Sequence, residues 1–236
     1  GDFDDSGETI TQTVSDGTTN GTATLTFPVP PNAATEDIGA RFRLGNATDL
    51  GANGDSPSIG IPTGEVEDYL LDGIVRYDYG DLPDDNSGAG NTYPTNNTNA
   101  GEGAGAYHEI VDGYYMGARV DAEGDGQPNA TADGDDNNDT LGIDDGQDDE
   151  DGVTFPTLIA GQPADITVNV VDADGTGTNY VIGYIDWNAD NDFADADEVV
   201  QGTVTGSGTV TLTYNVPLDA ATSGVGARFR LSETDT

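Results

Sequence analysis

The feature that most constrains this chain is an internal repeat. "GTATLTFPVPPNAATEDIGARFRL" (Gly21–Leu44) aligns without a gap on "GTVTLTYNVPLDAATSGVGARFRL" (Gly208–Leu231), an offset of 187 residues from Arg41 to Arg228. Upstream, "DFDDSGETI" aligns on "DFADADEVV" at an offset of 190, from Asp2 to Asp192. The extra residues fall where Ser15–Asn20 faces Thr205–Ser207, and a hairpin loop is where a chain absorbs an insertion. The first copy runs on through "GEVEDYLLDGIV" (Gly64–Val75), whereas Gly152–Asn188 precede the second copy and have no counterpart before the first. Three parts are therefore expected: residues 1–76 as the C-terminal part of one module, 77–151 as a connector, and 152–236 as most of a second module without its last strand. A longer tandem array is the expected parent.

The repeated segments read as strands. Ile166, Val168 and Val170 alternate with polar residues, as do Val210, Leu212, Tyr214 and Val216, and likewise Ala23, Leu25, Phe27 and Val29. Period-two alternation marks strands with one buried face, and no stretch carries a helical period. Combining the copies gives seven strands per module: Gly152–Pro156, Ala164–Val171, Tyr180–Trp187, Glu198–Val204, Thr209–Pro217, Gly226–Leu231 and the equivalent of Glu65–Val75. The expected fold class is all-β, with tandem immunoglobulin-like β-sandwich modules joined by an acidic, calcium-ordered connector. Trp187 is expected in the packing of the sandwich, and so are Tyr114 and Tyr115.

Charge then narrows the function. The chain has 236 residues, 45 Asp plus Glu, six Arg, no Lys and no Cys, for a formal net charge of -39. Such a surface repels nucleic acid and anionic membranes. Neither a disulfide nor a lysine-derived cross-link is available to staple the fold. The apolar runs are too short to span a bilayer.

"DWNADNDFADADE" (Asp186–Glu198) packs six acids into thirteen residues without a cation. Asp186, Asn188, Asp190 and Asp192 alternate, and Asp195, Asp197 and Glu198 follow, which is the spacing of a loop that wraps Ca²⁺ in hard oxygens. The turn position that usually holds Gly is Asn191, a residue that tolerates left-handed backbone. The first copy keeps the pattern as Asp2, Asp4 and Glu8. Asp121–Asp151 repeats the argument with thirteen acids in thirty-one residues, including Asp121, Glu123, Asp125, Asp135, Asp136, Asp148, Asp149 and Asp151. Oxygen ligands without His or Cys select Ca²⁺ over zinc or copper, so several calcium ions are expected to order the connector. Like charges gathered within ~4–5 Å repel by several kcal/mol at an effective dielectric near 20 unless a cation intervenes. In "ARFRL", Arg41 and Arg43 share a strand face and are expected to ladder with Glu65 and Glu67 of "GEVEDY".

"GEVEDY", "YDYGDLPD" (Tyr77–Asp84), "VDAEGDGQP" (Val120–Pro128), "DEDGVTF" (Asp149–Phe155), "IDWNADNDFADADE" and "ARFRL" together resemble the GEVED repeat, a module of very large bacterial surface and secreted proteins. The resemblance implies an extracellular or cell-surface β-sandwich serving adhesion or surface structure. "GAYH" (Gly105–His108) departs from it, since the family pattern carries Arg before the His. The expected function is a calcium-stabilised structural repeat of a surface adhesin or filament, with neighbouring copies or modules as partners. A module binding surface glycans through "GYYMG" (Gly113–Gly117) is the second class. Catalysis is not expected: His108 is the single His, and "HEIVD" lacks the second His of a zinc-protease helix.

Overall fold

The computed structural model describes residues 3, 7–14, 22–29, 33, 38–45, 64–71, 73–84, 93–97, 105–134 and 149–235. Among the described residues, all regular elements are strands apart from a short 3-10 turn at Glu150–Gly152. No helix among the described residues is long and apolar enough to cross a membrane. The chain divides into two compact units, Gly1–Ile74 and Val75–Thr236.

The first unit holds an antiparallel pair, β1 (Ile38–Leu44) and β2 (Glu65–Leu71). Its register sets Arg41 opposite Asp68 and Phe42 opposite Glu67. The guanidinium of Arg41 donates two parallel hydrogen bonds to Asp68, at 2.7 and 2.8 Å. The cross-strand partner of Arg41 is thus Asp68, while Glu65 and Glu67 share the opposite face with Phe42 and Leu44. The expected ladder was one residue out of register, because "GEVEDY" supplies acids on both faces and alternation alone does not choose between them. Residues 22–29 form no strand. Their counterparts in the second copy pair with Pro163–Asp172.

In the second unit, sequence periodicity locates the strands well. One sheet holds β10 (Gly208–Asn215) beside β7 (Pro163–Asp172), with β5 (Tyr114–Met116) and β6 (Val153–Thr154) both on the far edge of β7. The other runs β11 (Ala227–Ser232), β8 (Thr178–Ile185), β9 (Val199–Thr205). Alternate residues of β7, β8 and β10 point inward, and Ile166, Val168, Val170, Val181, Ile185, Val210, Leu212, Tyr214, Trp187 and Leu231 form one core between the sheets. Burying each such aliphatic side chain stabilises the fold by about 1.5–3 kcal/mol relative to exposure. The arrangement is a sandwich of two faces. Gly183 is required for it, because a Cβ there would lie 2.3 Å from the Tyr214 hydroxyl and 2.8 Å from Leu212. Trp187 packs edge-on against Tyr214, as a core residue.

The acidic connector is part of this unit. β5 pairs with Val170–Asp172 and β6 with Thr167–Val168, so two short strands laid end to end complete the edge of β7. Gly117 N donates to Asn169 O (2.9 Å) at the junction, and Ala118 N donates to Asp151 Oδ1 (2.8 Å) to close it. The boundary expected at 151/152 therefore runs through the middle of a composite strand. A hairpin of β3 (Tyr77–Tyr79) and β4 (Tyr107–Glu109) lies over the outer face of β11. There Arg230 Nε donates to His108 Nε2 at 2.9 Å, and Arg228 donates to the Thr95 hydroxyl at 3.2 Å. Tyr79, Leu82, Tyr93 and Ala122 are buried beneath this added layer.

Candidate functional site

The Asp186–Glu198 loop leaves β8 and returns to β9, coiling around two carboxylates. Asp186, fully buried, accepts hydrogen bonds from Asp190 N (3.2 Å) and Asn191 N (2.8 Å). Glu198, 1 % exposed, accepts from Trp187 N and Asp195 N, both at 3.0 Å, and so ties the two ends of the loop. Burial pushes the Glu198 carboxyl above its ordinary range, opposed by those two backbone donors. The left-handed backbone expected at Asn191 is present, with φ of 71°. Asn188, Asp190, Asp192, Asp195 and Asp197 stand exposed around this centre. Asn188 Nδ2 donates to Asp190 (2.9 Å) and Asp195 (2.6 Å).

Tyr93, in the connector, reaches this loop across 93 positions of sequence. Its hydroxyl donates to Asp186 Oδ2 at 2.6 Å, and its ring stacks on Phe193 with centroids 5.1 Å apart. Burial, and then the bond to Asp186, raise the tyrosine well above its usual pKa. A Cβ on Gly226 would lie 2.3 Å from the Tyr93 oxygen, so the glycine of "GARFRL" makes room for it. Tyr93→Phe is expected to cost about 1.5–3 kcal/mol, the range for a hydrogen bond to a charged group. Urea denaturation of both proteins checks this; an unchanged midpoint would show that the hydroxyl does not hold the loop.

A second set of acids lies under the added layer. Glu123, 6 % exposed, accepts from Tyr79 N at 2.8 Å through Oε2. Its Oε1 and the Oδ1 of Asp121 are buried without a hydrogen-bond partner among the described residues. Burial first, then the neighbouring Asp78, pushes Glu123 up to about 11. Burial and then Asp121 push Asp78, itself half-buried, up to about 7. No basic group contributes to either shift.

Elsewhere in the connector, carboxylates cap backbone amides. Asp81 accepts from Gln127 N and Gly134 N, both at 3.0 Å. Asp84 accepts from Thr95 N (3.0 Å) and Asn96 N (3.1 Å), and Asp125 from Asn97 N (2.6 Å). Asp149 accepts from Asp121 N at 3.3 Å. Glu8 lies exposed in the first unit. Asp2, Asp4, Asp135, Asp136 and Asp148 lie outside the described residues. Among the described residues, no group of three or more His, Cys, Asp or Glu side chains is gathered closely enough to hold a metal ion. The structure thus brings Asp186 and Glu198 together, and Asp121 with Glu123, and spreads the others along the loops.

Sequence reasoning missed Tyr93, Asp78, Asp81 and Asp84. No local signal marked them, because the amides that Asp81 and Asp84 cap lie between 11 and 53 positions away in sequence. His108, whose role the sequence left open, is an acceptor for Arg230; burial and then that arginine push it down to about 4, so it is neutral at pH 7. The candidate glycan platform at Gly113–Gly117 is occupied in sheet pairing, with Tyr114 and Tyr115 half-buried.

The fold and site define an all-β module in which buried acids organise long loops on a sandwich-like body. The GEVED domain family matches residues 1–72 and 180–236, more than half of the chain, and the chain belongs to that family. No curated protein matches it. No solved structure matches it either.

Proposed function

We propose that this chain is a structural repeat of an extracellular, calcium-stabilised surface adhesin or filament, built from tandem immunoglobulin-like sandwiches and acting as a rigid spacer. The observation that carries this reading is the pairing of connector strand β5 with core strand β7. A connector that supplies a sheet edge is a structural part of its module, whereas a free tether would leave that edge open. Neighbouring modules or copies are the partners, and no step of catalysis is assigned.

The chemistry of the donors, carboxylate and amide oxygens without His or Cys, suits calcium. Asp121 and Glu123 lie against one another, each with a buried oxygen that no donor reaches among the described residues, and Asp78 adds a third carboxylate nearby. These three would hold one ion. Asp186, Asn188, Asp190, Asp195 and Glu198 would hold another, since a carboxylate oxygen bonded to one amide keeps a second lone pair. The ion would supply positive charge beside Glu123 and Asp78, whose shifts have no basic group among their causes. Extracellular modules use calcium sites with dissociation constants near 10⁻⁴–10⁻³ M, so saturation would require the outside medium.

Trypsin tests the reading, because Arg119 is the only cleavage site between Arg76 and Arg228. In millimolar Ca²⁺ we expect cleavage at Arg119 to be at least about tenfold slower than in EDTA, as ligand linkage suppresses local opening. Equal rates in both media would contradict calcium ordering of the connector.

A further inference from the structure

We propose that β10 pairs edge to edge with β10 of a second copy of this chain, antiparallel about a two-fold axis at Thr211, so that two β10–β7 sheets join into one. This deepens the reading that copies are the partners and rests on that part of it alone; it requires no calcium.

Backbone direction comes first. β10 is the terminal strand of its sheet, with β7 on one side and no described strand on the other. Val216 N donates to Gln162 O at 3.2 Å, and Val216 O accepts from Gly161 N at 2.8 Å, so Val216 turns its backbone groups to the β7 side. Successive residues of a strand bond to opposite sides. Val210, Leu212 and Tyr214 therefore do as Val216 does, and Thr209, Thr211 and Thr213 direct their amides and carbonyls to the open edge. β7 agrees: Asn169, opposite Thr209, gives its carbonyl to Gly117 N instead. The repeat leaves this edge open too. In the first copy the strand after "GARFRL" is β2, which pairs with β1, the counterpart of β11. Its equivalent in the second copy belongs beside β11, in the other sheet.

The edge residues choose the occupant. Outward-turned residues of two antiparallel strands must stand opposite one another to exchange their backbone bonds. A two-fold axis at Thr211 sets Thr211 against its own copy and Thr209 against Thr213, so every such pair is threonine on threonine. Threonine pairs are favourable cross-strand contacts, whereas like charges placed there would be unfavourable. None stands there: no charged residue occurs from Val199 to Leu218, in a chain with 45 acids. On β7, Asp165 faces Thr213 and accepts from its hydroxyl at 2.7 Å. The proline or lysine that often blunts an edge strand is absent from all eight residues of β10. Val210, Leu212 and Tyr214 stay buried in the core, so pairing joins backbones without opening it. The first copy repeats the row as Thr22, Thr24 and Thr26. An uncharged edge is where a chain of net charge -39 meets its own copy at least electrostatic cost, and a self-complementary row gives the two-fold contact commonest among homodimers.

The test uses the whole chain in EDTA, from micromolar to millimolar, by sedimentation equilibrium and hydrogen exchange. The expected result is a reversible dimer that tightens about tenfold or more between about 0.01 M and 1 M NaCl, as the screening length falls from ~30 to ~3 Å. The amides of Thr209, Thr211 and Thr213 should exchange more slowly as it forms. Thr211→Pro removes an outward amide from both copies and none toward β7, so it should weaken the dimer about tenfold or more with exchange at Leu212 unchanged. Thr211→Glu, which keeps the backbone and sets like charges opposite each other, should weaken it as well. A chain that stays monomeric at millimolar concentration in high salt, or a dimer that neither variant weakens, would overturn the proposal. So would a dimer that protects the amides of β9 or β11 in place of those of β10. The expected dimer with equal trypsin rates at Arg119 in calcium and EDTA would fault only the calcium reading.

Discussion

Asp186→Ala is expected to lower the stability of the second unit by about 3–5 kcal/mol, the usual cost of breaking a buried charged network from one side. The carboxylate is fully buried and accepts from Asp190 N, Asn191 N and the Tyr93 hydroxyl. Alanine would leave the Asn191 amide and the Tyr93 hydroxyl without that acceptor in a site that water reaches poorly, while Asp190 N would keep Asn188 Oδ1 at 3.1 Å. The loss should therefore exceed that of Tyr93→Phe, which removes one donor and leaves the acceptor with two. Because Tyr93 belongs to the connector, loosening at Asp186 should spread to residues 93–97 and speed their hydrogen exchange. Denaturant midpoints at fixed pH measure the first effect, and a loss below about 1 kcal/mol would show that the loop is held by something else.

Calcium should produce the other large effect. At free Ca²⁺ one hundred times its dissociation constant, each site adds about 2.7 kcal/mol. The metal-free protein should behave in the opposite sense to most acidic proteins. Glu123 at about 11 and Asp78 at about 7 are both raised above their unfolded values. The folded state thus holds protons that the unfolded chain releases, and stability falls as pH rises from the carboxylate range toward those values. His108, lowered to about 4, works the other way: its contribution is present above about pH 6.5 and is lost as pH falls toward 4. Above about pH 8 Asp78 has lost its proton and Glu123 acts without it, so between pH 8 and 9 in EDTA the stability should fall by at most about 1.4 kcal/mol per pH unit. In saturating calcium the slope should flatten, since the ion takes the place of the proton. A stability that rises with pH in EDTA would contradict the burial of Glu123.

Alternation in Ile166–Val170 and Val210–Val216 made the sandwich strands legible, because one buried face imposes a period of two. The connector was not legible in the same way. Tyr77–Tyr79, Tyr107–Glu109 and Tyr114–Met116 are three-residue strands, too short for a period to register. They are held by pairing and by acids that cap amides far away in sequence, as Asp81 does for Gly134. The alternating side chains of Asp186–Asp192 were legible as a loop, and Asn191 as its left-handed turn. What the spacing could not show is that Asp186 and Glu198 serve first as acceptors for the loop's own backbone. Charge runs look alike whether they face solvent, a cation or buried amides, and only tertiary placement separates those fates.

The claim that buried acids wait for either a proton or a calcium ion is tested most directly by counting protons released on calcium binding. Titration calorimetry at pH 7.5 in two buffers of different ionisation enthalpy gives that number. The account predicts saturable binding with release of about one proton, which falls away in Glu123→Gln. Binding heats identical in the two buffers, or no binding at millimolar calcium, would contradict it.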